Sequence, residues 1–185
     1  MQLFGDKSHL NTRTIEKARE GERRAQKAVY DALADKMFAV CLRYMGDRES
    51  AEDVLQDGFV TLFAKIGTYT GDGSFEGWAR KIFVNTALMS LRKNDVLKGS
   101  EDADAAVSLS SDAPSAVQDL GYKELCRMIS ELPAGFRTVF NMYVVEGYSH
   151  QEIAESLGIS VSTSRSQLLR ARAMLQAKIK EKERR

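Results

Sequence analysis

Apolar side chains recur along this chain at three- and four-residue intervals, and no stretch alternates convincingly at the two-residue period of a half-buried strand. The expected fold is therefore all-α. Only two prolines interrupt the chain, so few helices are forced to break. A short helix is expected over about residues 14–19, and Gly21 introduces a long one over about 22–44. Val29, Leu33, Met37, Val40 and Tyr44 form its apolar stripe. MGDRES reads as a turn, and the next helix, about 48–66, carries Val54, Leu55, Phe59, Leu62 and Phe63. GTYTGDGS is rich in glycine and hydroxyls and reads as a loop. Ser74 is a fair N-cap for a helix reaching about Lys93, patterned by Trp78, Ile82, Phe83, Ala87 and Leu91.

Beyond Lys93 the periodicity collapses into KGSEDADAAVSLSSDAPS. Such a segment buries too little apolar surface to offset the entropy of ordering it. It is expected to be a flexible acidic linker over residues 95–115, joining a helical domain at 1–94 to a second at 116–185. In the second, helices are expected at about 116–131, 134–145, 150–157 and 161–182.

Ser149 and Glu152 form an S-x-x-E capping box, in which each side chain satisfies a free amide at a helix start. The helix they open, HQEIAESL, meets Gly158, suited to the left-handed turn that ends a helix. Ser160 can cap the helix that follows. Ala154 is small where two helices must cross, and Ile153, Leu157 and Ile159 point to the core. This is the helix-turn-helix pattern.

On a wheel of about 100° per residue, Val161, Ser164, Leu168, Ala171 and Leu175 share the inward face of the last helix. Ser162, Ser166, Leu169, Arg170 and Ala173 lie opposite, with Thr163, Arg165, Gln167 and Arg172 toward the flanks. No acid occurs between Ser160 and Lys180. A solvated face ordinarily mixes acids with bases, so this one fits major-groove DNA: arginine for guanine edges, hydroxyls for phosphates and bases, an apolar contact for a thymine methyl.

The net charge of +1 averages unlike parts. Arg165, Arg170, Arg172, Lys178, Lys180, Lys182, Arg184 and Arg185 crowd the C-terminus, which suggests a polyanion partner. No apolar run approaches a membrane span, and MQLFGDKSHLNTR lacks the apolar centre of a secretory signal, so a cytoplasmic protein is expected. Cys41 and Cys126 read as buried free thiols, and His9 and His150 offer no ligand spacing; no metal site or cofactor is expected. The chain supplies no nucleophile-base pair and no phosphate-cradling GxxxxGK, so binding is expected rather than catalysis, with no small-molecule substrate.

In SAEDVLQDGF, Asp53, Gln56 and Asp57 fall at i, i+3 and i+4 on one helix face, beside Glu52. They form either a solvated acidic face or a docking surface for a basic protein. Downstream, Phe75 and Trp78 accompany Arg80, Lys81, Arg92 and Lys93, next to a loop carrying Tyr69. Rings beside cations suit single-stranded nucleic acid, although Trp78 taken alone reads as helical core.

The ordered motifs AEDVLQDGF, GDGSFEGWARKIFVNTALMSLRK, an acidic linker and LPAGFRTVFNMYVVEGYSHQEIAESLGISVSTSRSQLLRARAML resemble the extracytoplasmic-function (ECF) sigma factors of bacterial RNA polymerase. The resemblance covers about residues 14–175. It implies an alternative sigma factor that binds core polymerase and directs promoter-specific initiation. Asp53, Gln56 and Asp57 would meet the clamp helices of the largest polymerase subunit. Tyr69 and Asn85 would contact exposed bases of the melted -10 element, with Arg80, Lys81, Arg92 and Lys93 near its backbone. Arg165, Ser166, Leu169 and Arg170 would face bases of the -35 duplex, with Ser162, Thr163 and Arg172 available beside them. An anti-sigma factor is implied as a further partner. Two rivals remain open on the residues alone: a self-sufficient helix-turn-helix repressor or activator, which should dimerise on palindromic DNA, and a helical adaptor that binds a protein through the Asp53 face.

Overall fold

In a computed structural model, residues 10–93 and 120–184 are described, and all regular structure among them is helical. The helices are α1 (Thr12–Arg19), α2 (Arg23–Met45), α3 (Arg48–Lys65), α4 (Phe75–Lys93), α5 (Leu120–Ser130), α6 (Ala134–Phe140), α7 (His150–Leu157) and α8 (Val161–Glu183). A 3₁₀ turn at Ile66–Thr68 follows α3. The expected linker at 95–115, the start of the second domain at 116 and His9 lie outside the described residues.

The stripe of α2 is the axis of the first helical group. Val29, Leu33, Met37, Val40 and Tyr44 are all buried, and they meet Val54, Phe59 and Leu62 of α3 and Phe83, Ala87 and Leu91 of α4. Burying side chains of this size stabilises by roughly 1.5–3 kcal/mol each. Leu55, Phe63, Trp78 and Ile82, expected in the same core, are only half-buried and pack at its margin. The reversal between α2 and α3 is tighter than MGDRES suggested. Gly46 takes a left-handed φ of 86° and Asp47 caps α3 by accepting from the Ser50 amide at 2.8 Å.

The second group centres on Met128, Ile129, Leu132, Ala171 and Leu175, where α5 crosses α8. The helix expected at 134–145 changes character part-way. It is α-helical to Phe140 and then widens into a π-helical turn, Asn141–Val145, closed by the Glu146 amide on the Asn141 carbonyl at 3.0 Å. Lys178 and Arg127 donate to Glu131 at 2.6 and 3.1 Å, and Lys182 pairs with Glu124 at 3.4 Å. The hydrogen bond from Lys178, followed by that from Arg127, holds the Glu131 carboxyl below its ordinary pKa. Part of the C-terminal basic cluster is therefore spent inside the domain. Cys41 is buried as expected, with its thiol pushed up to about 12 by burial. Cys126 is only half-buried, because α5 turns that face toward solvent.

The two groups share one apolar core. Val139, Met142, Ile153 and Leu168 belong to the same buried cluster as the stripe of α2. At the junction Arg137, 5% exposed, enters between the ends of α2 and α5. Its Nε donates to the Tyr44 carbonyl at 3.0 Å and Nη2 to Met45 at 2.7 Å, while Nη1 donates to Ser130 at 2.8 Å and Leu132 at 3.0 Å. One guanidinium thus satisfies the orphan carbonyls of two helix C-termini.

Gly58 of α3 sits against the ring of Phe83, where an added Cβ would lie 2.3 Å from Cδ1. In an open helix Gly→Ala gains about 1 kcal/mol. Here the ring is fully buried, and overpacking costs typically 1–3 kcal/mol. Gly58→Ala is expected to lower the unfolding free energy by up to about 2 kcal/mol in urea denaturation; a gain would show that α3 and α4 can part freely.

Candidate nucleic-acid interface

On α8 the inward face is as expected, with one addition. Ser164, Leu168, Ala171 and Leu175 are buried, Val161 is half-buried, and Gln167, expected on the flank, is buried too. Ser162, Arg165, Ser166, Leu169, Arg170, Arg172 and Ala173 are exposed, Leu169 to 71%. Leu169 supplies an apolar contact at the centre of an acid-free face. Arg170 lies over the Phe136 ring and Arg172 over the Tyr143 ring, both at 5.9 Å. These contacts flank the face with two arginines whose guanidinium groups lie over aromatic rings.

The hydroxyls of this helix are mostly bonded within it. Ser160 caps the Thr163 amide at 3.0 Å and its Oγ also meets Ser162 Oγ at 2.7 Å and Thr163 Oγ1 at 2.8 Å. Ser166 donates to the Thr163 carbonyl at 2.9 Å, and buried Ser164 meets His150 Nδ1 at 2.9 Å. Half-buried Thr163 belongs mainly to the cap, while exposed Ser162 and Ser166 keep acceptor capacity for a partner. The turn before α8 matches its sequence signature. Ser149 and Glu152 complete the capping box, at 2.8 and 3.2 Å, and Gly158 takes φ 67°.

On α4, Lys81, Asn85 and Arg92 lie within about 40° of one another, all exposed, with Met89 rotated slightly further and 67% exposed. No acid occurs from Gly77 to Lys93. Lys93 is exposed at the helix end. Arg80 is turned away from this stripe and lies between Glu76 at 3.8 Å and Glu146 at 3.9 Å. Tyr69 is also withdrawn. Its ring packs edge-on to Phe75 at 5.1 Å and tilted to Trp78 at 5.5 Å, its hydroxyl donates to the Gly73 carbonyl at 2.9 Å, and Arg19 donates to its carbonyl at 2.7 Å. The structure thus gathers Lys81, Asn85 and Arg92 and leaves Tyr69 and Arg80 apart.

The third surface lies on α3. Asp53, Gln56 and Asp57 are exposed, and Gln56 borders a groove lined by Tyr30, Phe38, Leu55, Val60 and Phe63. Acids beside exposed apolar surface differ from a uniformly solvated face.

A family pattern described as Sigma-70 region 2 matches residues 29–96, and one described as Sigma-70, region 4 matches residues 116–175. The chain belongs to the sigma-70 family. It is similar to the RNA polymerase sigma-H factor of Pseudomonas aeruginosa, 28% identical over 85% of this chain and 88% of that protein. It is also similar to the ECF RNA polymerase sigma-E factor of Haemophilus influenzae, 27% identical over 89% of this chain and 93% of that one. Among solved structures, the sigma factor RpoE of Bartonella quintana shares the fold, with TM-score 0.51 at 21% identity over 83% of this chain and 96% of that chain. The protein is an alternative sigma factor of ECF type, and its partners are core RNA polymerase and promoter DNA. The family consists of transcription initiation factors. No helix among the described residues is long and apolar enough to cross a membrane.

Sequence reasoning missed Met89, because one methionine in an amphipathic pattern reads as core, and it gave no role to Arg137, Arg43 or Glu146. Arg43 and Glu146 meet only in space, and Arg137 reaches the end of α2 across 92 and 93 residues of chain.

His150 reports on the charged flank of α8. Its ring stacks on Tyr143 at 4.4 Å, and burial, then the charges of Arg165 and Arg172, hold its pKa below the ordinary 6.5. Because the folded value lies below the unfolded one, its contribution to stability is full above about pH 6.5 and is lost as the pH falls through the folded value. In an NMR titration the His150 midpoint is expected below 6.5, and Arg165→Gln is expected to raise it. A midpoint unmoved by that change would separate Arg165 from the ring.

Proposed function

We propose that the chain divides its work between a domain at 1–94 and a domain at 116–185, joined by residues 95–115. The α3 surface with Asp53, Gln56 and Asp57 docks on the clamp helices of the largest polymerase subunit. The α4 stripe of Lys81, Asn85 and Arg92, with Lys93 at its end, follows the melted -10 strand. Arg80 and Tyr69 join it once released from their present partners. On α8, Arg165, Ser166, Leu169 and Arg170 face bases of the -35 duplex, Leu169 against a thymine methyl, while Ser162, Thr163 and Arg172 contact phosphates. The observation that carries this reading is the pair of acid-free cationic helix faces, one in each domain of a sigma-70 family chain.

The role is binding and not catalysis, exercised in the cytoplasm beside the polymerase. Melting is favoured because unpaired bases find partners only in the open promoter, a differential affinity that shifts the equilibrium. The solved Bartonella quintana protein is in complex with the anti-sigma factor NepR, and an anti-sigma factor is the corresponding partner here.

Run-off transcription from genomic promoter fragments, using core polymerase with and without the protein, tests the reading as a whole. New start sites are expected, and their absence would refute it. Replacing Asp53 and Gln56 together with Ala should weaken core binding at least several-fold while leaving the circular dichroism unchanged; equal affinity would remove α3 from the docking surface. Arg170→Ala is expected to cost about 1–3 kcal/mol at a single -35 base pair. A loss spread evenly over all sequences would instead make Arg170 a phosphate contact.

A further inference from the structure

One edge of α8 faces the start of α7. Arg165 and Arg172, seven residues apart, fall within about 20° of each other around the helix, and both are exposed. Arg172 lies over the Tyr143 ring at 5.9 Å, and Tyr143 stacks in turn on His150 at 4.4 Å, with 23° between the ring planes. His150 is the first residue of α7, and its side chain is half-buried. Two arginines, a phenol and an imidazole thus form one row along the flank of the -35 face.

The imidazole is anchored through one nitrogen. Its Nδ1 lies 2.9 Å from Oγ of Ser164, a residue fully buried under α7. A hydroxyl serves either protonation state, because it donates to Nδ1 of a neutral ring and accepts from the Nδ1 hydrogen of an imidazolium. Gaining a proton therefore breaks no bond at that end. In both arrangements Nε2 carries a hydrogen, and among the described residues it has no hydrogen-bond partner.

In the free chain the surroundings favour the neutral ring. Burial, then the charges of Arg165 and Arg172, hold its pKa below the ordinary 6.5, and no carboxylate acts on it. The nearby acids are engaged elsewhere: Glu152 accepts from the Ser149 amide and hydroxyl, Glu155 from Gln151, and Glu146 from Arg43. Tyr143 is the remaining titratable group in contact with the ring. A bound polyanion reverses these signs. Phosphates that neutralise Arg165 and Arg172 remove the repulsion, and a phosphate oxygen within about 4–6 Å favours the charged ring directly. The face of Tyr143 attracts a cation stacked on it as well.

We propose that His150 is a further DNA-binding residue, which takes up one proton from solvent as α8 enters the -35 duplex and donates from Nε2 to a backbone phosphate, an assignment that rests on α8 being the -35 face. By reciprocity, protonation strengthens DNA binding by the same factor by which DNA favours protonation. The ring is neutral in both states above its bound-state pKa and charged in both below its free-state one. Affinity therefore rises as the pH falls between the two, by at most about tenfold per pH unit for a single proton. Ser164, buried and able to partner either form, keeps the ring in place throughout.

The test uses holoenzyme, this chain with core polymerase, on a promoter fragment active in run-off, with binding read by fluorescence anisotropy between about pH 5.5 and 8 at fixed ionic strength. Wild type and His150→Gln should bind alike at the alkaline end, and wild type several-fold more tightly at the acid end. There the plot of log affinity against log salt should be steeper for wild type by about one phosphate contact, and at the alkaline end the two slopes should coincide. Core polymerase titrates identically in both, so the difference between them belongs to His150. A second measurement needs no variant: in NMR of the full wild-type chain, which has only two histidines, saturation with a duplex carrying the -35 element should raise the His150 midpoint above that of the free chain. Parallel pH profiles, equal salt slopes at the acid end, or a midpoint that DNA leaves unmoved or lowers would each overturn the proton uptake. Failure of the underlying reading looks different, because then holoenzyme binds no fragment at any pH, or binds with an affinity indifferent to the -35 sequence.

Discussion

Two helix ends that face each other across a domain boundary set the terms for the rest of this structure. The last carbonyls of α2 and α5 have no partners within their own helices, and the junction excludes water. Arg137 answers both with four hydrogen bonds and no carboxylate among its acceptors. Burying a guanidinium in this way costs several kcal/mol before any bond is counted. Burial lowers its pKa to about 10, and the nearby charge of Asp47 works in the opposite direction. It remains ionised at neutral pH, so the negative ends of two helix dipoles are the counter-charge. The site leaves no latitude at Gly46. A Cβ there would lie 2.5 Å from the Arg137 Nη1, and the left-handed φ of 86° already disfavours any other residue.

From that junction the functional surfaces diverge. The α3 acids, the α4 stripe and the α8 face are carried on helices whose buried sides meet in one contiguous cluster or adjoin it. Each surface is built from side chains that the core does not need. The acid-free runs on α4 and α8 would be a liability in an ordinary solvated helix, where mixed charge gives both solubility and i,i+4 pairs. Elsewhere this chain does use such pairs, at Lys27 with Asp31 and Arg48 with Glu52. Their absence from two specific faces concentrates positive potential where polyanion binding needs it.

Most of the helical framework was legible because it follows from periodicity and capping, which are local. The α2 stripe, the capping box at Ser149, the Gly158 corner and the start of α8 at Ser160 all depend on residues within a few positions of each other. What the sequence concealed depends on long-range pairing. Arg137 looks like any solvated helical arginine, and its partners lie 92 and 93 residues away. The C-terminal basic cluster seemed wholly available until Lys178 met Glu131, just past the end of α5, and Lys182 met Glu124 of α5. Tyr69 reads as a free ring beside cations, and the fold instead encloses it with Phe75 and Trp78. Gln167 reads as a flank residue, and the crossing of α8 over its neighbours buries it.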